Sequence, residues 1–208
     1  MSKSKLVMLG CIIMLMSAFS VLAADGVYIS GNIGLAYLSD SDLSTAAVPG
    51  IVVETEFDYG LNVNGAMGFV VGQGRMEIEV AYRTNDIDSF SVIGVSVPGG
   101  GDVTALSGLL NAFYDIKTDS AITPYLGGGI GVANVEIDNL SILGIPFPGS
   151  EDDTVFAYQL GGGIGYAIND TMTVDLGYRY FATADPDFNG LEAEYGSHNI
   201  TIGIRFGL

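Results

Sequence analysis

The sequence predicts an all-β fold, an eight-stranded antiparallel up-and-down transmembrane β-barrel, and three observations predict it. Apolar and polar residues alternate with period two in blocks of about ten, the length a tilted strand needs to cross a bilayer. Those blocks number eight, an even count as single-chain membrane barrels require. The links between them alternate strictly between short and long.

The first stretch is set apart from that pattern. Lys3 and Lys5 precede an apolar run from Leu6 to Leu22, and the small residues Ala23 and Ala24 follow before Asp25. This is the pattern of a secretory signal peptide. Residues 1–24 are expected to be cleaved, after Ala23 or Ala24, leaving residues 25–208 as the barrel domain. A retained helical anchor is the alternative, but no basic stop-transfer residues follow the run. The single cysteine, Cys11, falls inside the signal, so the mature chain has no thiol chemistry to use.

The strands follow in order. Val27, Ile29, Gly31, Ile33, Leu35 and Tyr37 alternate with Ser30, Asn32, Gly34 and Ala36. Phe57, Tyr59, Leu61, Val63, Met67, Phe69 and Val71 stand against Asp58, Asn62 and Asn64. Met76, Ile78, Val80 and Tyr82 alternate with Glu77, Glu79 and Arg83. The fourth block sets Leu106, Leu110 and Tyr114 opposite Ser107, Asn111 and Asp115, with Leu109 and Phe113 on the polar side. The fifth and sixth blocks are near copies, Tyr125-Leu126-Gly127-Gly128-Gly129-Ile130-Gly131 and Gln159-Leu160-Gly161-Gly162-Gly163-Ile164-Gly165, offset by 34 residues. Glycines on an inward face suit a narrow barrel, where large residues of neighbouring strands need room. A phosphate-binding reading fails because no Gly-x-Gly-x-x-Gly spacing is completed and no helical pattern follows. Block seven sets Met172, Val174, Leu176, Tyr178 and Tyr180 against Thr173, Asp175, Gly177 and Arg179. The last sets Ile200, Ile202, Ile204, Phe206 and Leu208 against Thr201, Gly203 and Arg205.

Gly72-Gln73-Gly74, Lys117 to Ser120 and Asn169-Asp170-Thr171 read as tight turns. Ser39 to Val53, Asp88 to Asp102, Asp138 to Asp153 and Thr183 to Glu192 read as long loops, which barrels of this kind place outside the cell. A soluble lipocalin-type barrel would bury its bulky apolar face, but here the opposite face is too charged and glycine-rich to be a core.

Without the signal lysines, five basic residues face 24 acids, so the chain does not seek nucleic acid or anionic lipid through charge. The chain is 49% hydrophobic, yet no segment after the signal has the apolar length of a membrane helix. A closed barrel is the other way to pair every backbone polar group in hydrocarbon. All four arginines, including Arg75, fall on the polar parity. A charge on the lipid face costs about 2–4 kcal/mol at mid-membrane, so Asp58, Glu77, Glu79, Arg83, Asp115, Asp175, Arg179 and Arg205 are expected to form an interior charge network that plugs the lumen. Tyr37, Tyr59, Tyr82, Tyr158 and Tyr180 mark an outer interfacial belt, and Tyr114 and Tyr166 an inner one.

No catalytic constellation emerges. His198 is the only histidine, and its neighbour Ser197 points to the opposite face of a strand, so the two do not meet as base and nucleophile. His198 shares the outward parity of Ile200. Neither a cofactor nor a metal is expected; the acid clusters Asp40/Asp42, Glu151-Asp152-Asp153 and Asp185/Asp187 attract divalent cations weakly or keep loops solvated. Three loops carry apolar tips with proline, Val48-Pro49-Gly50-Ile51, Val97-Pro98-Gly99 and Ile145-Pro146-Phe147-Pro148-Gly149. They are candidate partner-binding surfaces, or they pack together and cap the mouth.

Thr123-Pro124-Tyr125-Leu126-Gly127-Gly128-Gly129, Ala157-Tyr158-Gln159-Leu160-Gly161-Gly162-Gly163 and Leu176-Gly177-Tyr178-Arg179-Tyr180-Phe181 closely resemble the opacity/surface-antigen type of outer-membrane barrel protein, akin to the transmembrane domain of OmpA. The likeness runs over essentially the whole mature chain, with the distinctive motifs in its second half. It implies an eight-stranded barrel in the bacterial outer membrane, surface exposure, antigenicity, and adhesion or host interaction. It assigns no catalytic residues. The partners it implies are outer-membrane lipids and lipopolysaccharide, periplasmic chaperones, the barrel-assembly machinery, and a host or surface protein ligand. The chain departs from the family in ending on Gly207-Leu208 rather than an aromatic residue, and no periplasmic peptidoglycan-binding domain is expected after Leu208. Three functions follow in order: an interaction protein presenting its outer loops, a narrow channel, and a barrel enzyme on lipid or peptide.

Overall fold

The computed structural model describes residues 26–39, 41–45, 53–92, 95–146, 149–188 and 191–208. Residues 1–24, expected from the sequence to be a signal peptide, and the predicted tip residues Pro49, Phe147 and Pro148 lie outside them. Twelve strands are present among the described residues: β1 (Val27–Leu38), β2 (Ser41–Thr45), β3 (Val53–Phe57), β4 (Gly60–Val71), β5 (Gly74–Val92), β6 (Val95–Asp115), β7 (Ile122–Ile142), β8 (Ile145–Pro146), β9 (Glu151–Ala167), β10 (Met172–Thr183), β11 (Leu191–Ala193) and β12 (Gly196–Gly207).

Eight of these close a ring. Each of β1, β4, β5, β6, β7, β9, β10 and β12 pairs antiparallel with its neighbours in the chain, and β12 returns to pair with β1 from Tyr28↔Gly207 to Leu38↔Ser197. No edge is left in the membrane, which is what a strand in hydrocarbon requires. The lipid-facing parity carries exposed Ile33, Leu35, Leu61, Met76, Leu110, Ile130, Leu160, Leu176 and Ile202. Tyr37, Tyr59, Tyr82, Tyr158 and Tyr178 sit toward the outer end of this band, and Tyr114 and Tyr166 toward the inner end.

The remaining four strands lie in or beside the segments read as long outer loops, which are partly strand. β6 and β7 are 21 residues long, about twice what the bilayer needs. Their outer halves, with those of β5 and β9, continue as sheet beyond the tyrosine belt. On the way, β3 adds to the upper part of β5, β2 to β3, and β11 to β2. The upper inward face is apolar: Leu38, Ile87, Phe90, Val103, Val135, Phe181, Phe188 and Tyr195 form one buried cluster, which reaches down to Leu109 opposite Glu79, with Phe57, Val97 and Leu140 packed against it. The barrel is therefore closed on its outer side by a folded cap with a core of its own. Above the membrane, water rather than lipid bathes the outer surface, so the inward face takes over apolar burial.

Inside the membrane portion, glycines set the available width. A Cβ at Gly163 would lie 2.6 Å from the Tyr125 phenol oxygen, and one at Gly177 3.0 Å from it. The inward Tyr125 ring thus occupies the space that the glycine stretches of β9 and β10 leave open. A Cβ at Gly31, on the lipid face, would meet nothing within 4 Å. We expect Gly163→Leu to abolish the heat-sensitive, fast-migrating folded form on gels, and Gly31→Ala to retain it; folded Gly163→Leu protein would mean that both Tyr125 and the Leu176 carbonyl, which that Cβ approaches more closely still, can move aside.

Candidate functional site

Two parts of the molecule concentrate polar or exposed chemistry: the lumen and the tip of the cap. In the lumen, alternate residues of β1, β5, β6, β10 and β12 point at one another across the barrel. At the periplasmic end, Arg75 Nε donates to Asp115 at 2.8 Å and Arg75 Nη1 to Glu77 at 3.1 Å. Tyr28 Oη donates to the same Glu77 oxygen at 2.6 Å. The Arg75 guanidinium also lies 5.0 Å from the Phe113 ring centroid and 4.9 Å from that of Tyr125. Arg205 pairs with Asp175 at 2.9 Å.

One layer higher, Arg179 pairs with fully buried Glu79. Asn111 Nδ2 and Gln159 Nε2 also donate to Glu79, at 3.3 and 3.2 Å. Above them Asn62 donates to Asn199 at 2.8 Å, and Arg83 donates to Ser107 at 3.0 Å. The Arg83 guanidinium lies 3.9 Å from the centroid of Phe181, a member of the cap core, so this residue forms the boundary between polar lumen and apolar cap. Between Arg75, Arg179, Arg205, Glu77 and Asp175 the side chains leave a gap of about 10 Å³, room for one water.

Of the eight residues expected in this network, seven line the lumen and one does not. Asp58 is exposed, between β3 and β4. Its amide donates to the Asp86 carbonyl at 3.0 Å and its carbonyl accepts from Asn85 Nδ2 at 2.9 Å, while its side chain stays outside the barrel. Asp58 and Tyr59 belong to neither β3 nor β4, so a period-two count carried from β4 back through them to Phe57 assigns the wrong face. For the same reason Phe57 belongs to the cap and not to the lipid band. Sequence reading also missed Tyr28 and Gln159 as network members. Tyr28 has the inward parity of Ser30, a signal that was available; Gln159 meets Glu79 from 80 positions away, which no local pattern reports.

His198 and Ser197 occupy opposite faces. Ser197 is buried and its Oγ accepts from Asn199 Nδ2 at 3.0 Å. His198 Nδ1 lies 2.7 Å from the Tyr178 hydroxyl, with the rings of Tyr37 and Tyr180 beside it at 6.4 and 5.1 Å. Among the described residues no three histidine or carboxylate groups converge as a metal-ligand set.

At the outer end, the two described proline tips are brought together. Pro98 lies in β6 and Pro146 in β8, both exposed, and the Leu143 amide donates to the Pro98 carbonyl at 3.0 Å. The turn joining β7 to β8, Leu143-Gly144, puts Leu143 at φ 52° and Gly144 at φ 75°. Leu143 and Ile145 are more than 60% exposed there. A leucine in the left-handed region, with its side chain in solvent, is a local strain that the flanking pairs Ser141↔Pro146 and Ile142↔Ile145 hold in place.

A closed eight-strand ring with a lipid-facing apolar band decides the class, and comparison with known proteins agrees. Residues 7–206 match the outer membrane protein β-barrel domain family. The chain belongs to that family. It is a bacterial outer-membrane protein. Outer membrane protein PagN of Salmonella typhimurium is 26% identical over 194 residues, covering 82% of this chain and 80% of that one. A putative adhesin of Rickettsia prowazekii, RP828, is 29% identical over 152 residues, covering 68% and 65%. Among solved structures, Neisserial surface protein A is similar in fold, with a TM-score of 0.61 at 19% identity over 90% of this chain and all of that one.

Removing one partner of a buried ion pair leaves the other charge without compensation. Arg179→Ala should lower stability by about 3–5 kcal/mol in urea unfolding of the lipid-embedded protein. The double variant Glu79→Gln/Arg179→Met should recover a large part of that loss, since it removes both charges; an Arg179→Ala protein with an unchanged midpoint would show that Glu79 does not depend on this partner.

Proposed function

We propose that this family member is a surface interaction protein of the outer membrane, an adhesin in type, acting through its folded cap and not through its lumen. The reading rests above all on the exposed apolar tip formed by Pro98, Leu143, Ile145 and Pro146, which is held in a strained turn at the outer extremity of the longest strands. The name of the Rickettsia relative, putative adhesin, points the same way. In this reading residues 1–24 are removed on export, the barrel anchors the cap, and the interior charges hold the barrel shut. No residue is assigned a catalytic role: the one serine–histidine neighbour pair is split between the two faces of β12.

The test is adherence of bacteria expressing the protein to cultured host cells. Leu143→Ser/Ile145→Ser should abolish the adherence that the wild-type chain confers, at equal surface expression. Adherence that persists in this variant would move the contact elsewhere on the cap.

The channel reading is the rival, and the lumen speaks against it. Above Arg83 the path is filled by Phe181, Phe188, Leu38 and Tyr195, and below it by Arg75, Arg179, Arg205 and their partners. Folded protein in a planar bilayer should give no steady single-channel conductance. Ion-selective openings would replace the plugged barrel with a gated one.

A further inference from the structure

The chemistry of the partner can be read from the surface around that apolar tip. All seven basic side chains of the chain have known places in the sequence. Lys3 and Lys5 lie in the signal segment, Lys117 in the β6–β7 turn at the periplasmic end, and the four arginines in the lumen. The part of the chain that faces the outside therefore carries no lysine and no arginine. Its acids are numerous, and the strand register gathers several of them on one face. Asp86, Asp102 and Asp138 stand directly opposite one another across β5, β6 and β7. In the next row toward the membrane, Glu136 stands opposite Asp152, with Thr104 and Thr84 completing the row across to β5. Below that comes Tyr82, at the lipid boundary.

Like charges set directly opposite on a sheet destabilise it. Here slight desolvation, then the Asp102 carboxyl and after it Asp58, raise the Asp86 carboxyl above the usual carboxylate range. The arrangement is nonetheless held by a specific contact: Asn139 Nδ2 donates to Asp102 Oδ2 at 3.0 Å. Asn139 is itself left-handed, at φ 54°. Among the described residues, the two non-glycine positions with positive φ are thus Asn139 and Leu143, both in the same β7–β8 arm. One presents an aspartate of the acidic face, and the other presents the apolar tip. Strain of this kind persists where the surroundings enforce it and collects at functional contacts.

We infer that the cap docks a polypeptide partner whose surface offers an apolar socket for Leu143 and Ile145 beside a lysine- and arginine-rich rim that meets the acidic face of β5, β6 and β7. The inference rests on the interaction reading above and specifies the partner for it. Charge complementarity excludes sulfated glycans and anionic membranes, which this face repels, and makes association salt-dependent. The apolar tip adds contact area that salt does not screen.

The probe is an amphipathic lysine–leucine peptide, with heparin as the polyanion, measured against wild-type protein in zwitterionic nanodiscs. The peptide should bind, and more weakly as salt rises; heparin should not bind. Asp86→Asn/Asp102→Asn should weaken peptide binding by about fivefold or more, consistent with the loss of one exposed and one half-buried charge contact. Asp119→Asn/Asp170→Asn, which makes the same change in net charge at the periplasmic end, should leave binding within about twofold. Leu143→Ser/Ile145→Ser should weaken the lysine–leucine peptide but not poly-L-lysine. Equal losses in the two aspartate pairs would reduce the effect to net charge and overturn the inference, as would binding of heparin. Host-cell adherence separates the two levels. If adherence requires Leu143 and Ile145 but is unchanged in Asp86→Asn/Asp102→Asn, the cap is the contact and its partner is not cationic. If the wild-type chain confers no adherence and binds neither probe, the interaction reading itself fails.

Discussion

Closure of the hydrogen-bond ring governs everything else in this protein. A strand in hydrocarbon cannot leave its backbone groups unpaired, so β12 must return to β1, and eight strands fix the width of the tube. That width is too small for eight inward rows of ordinary side chains. Glycines in β7, β9 and β10 make room for Tyr125, Phe113 and Arg179, and around Arg75 and Arg179 the space they leave is taken up almost completely, while a cavity of about 360 Å³ opens toward the periplasmic mouth beside Tyr28 and Arg205. The ion pairs of Arg75, Arg179 and Arg205 are consequences of the same restriction. Once charges are confined to the lumen, each must find its opposite within a few ångströms.

The inward face changes character along its length, and irregularities at Asp86–Ser89 and Gly100–Asp102 shift its parity within the cap. Below Arg83 it is amide, carboxylate and guanidinium interleaved with Leu109 and the rings of Tyr28, Phe113 and Tyr125; above Phe181 it is leucine, valine and phenylalanine. The outer face changes in the opposite sense, from isoleucine and leucine to aspartate and glutamate. The crossing point on both faces lies at the level of Tyr82 and Arg83, adjacent residues on β5 that point to opposite sides. A single alternating sequence thereby serves two solvents, and the cap is a small water-soluble fold grown from the ends of membrane strands.

The membrane portion was legible in the sequence because period-two alternation is a local signal and lipid enforces it at every position. The eight blocks, the inward arginines, the turn positions and the Leu109/Phe113 departures in β6 could all be read residue by residue. The cap was not legible, for a physical reason: its inward positions are apolar and its links irregular, so Ile87, Phe90 and Val135 break the lipid-face count instead of extending it. Asp58 was misplaced by carrying one parity through the break between β3 and β4. Which lumen residues meet is set by register between distant strands. Glu79 with Arg179 and Gln159 needs the closed ring, and no spacing announces it. The tip was half legible: Pro98 and Pro146 marked it, but Leu143 is visible only through its backbone angle.

The pairing of β6 with β7 from the periplasmic end to the outer tip has a mechanical consequence. A load applied at Leu143 crosses one irregularity, at Gly101 and Asn139, and below it runs through regular paired strands to the bilayer. It passes as tension along two 21-residue strands into a ring whose neighbours resist by shear, many hydrogen bonds acting in parallel. Force on the outer part of this protein is thus borne by the barrel wall itself and not by a flexible stalk.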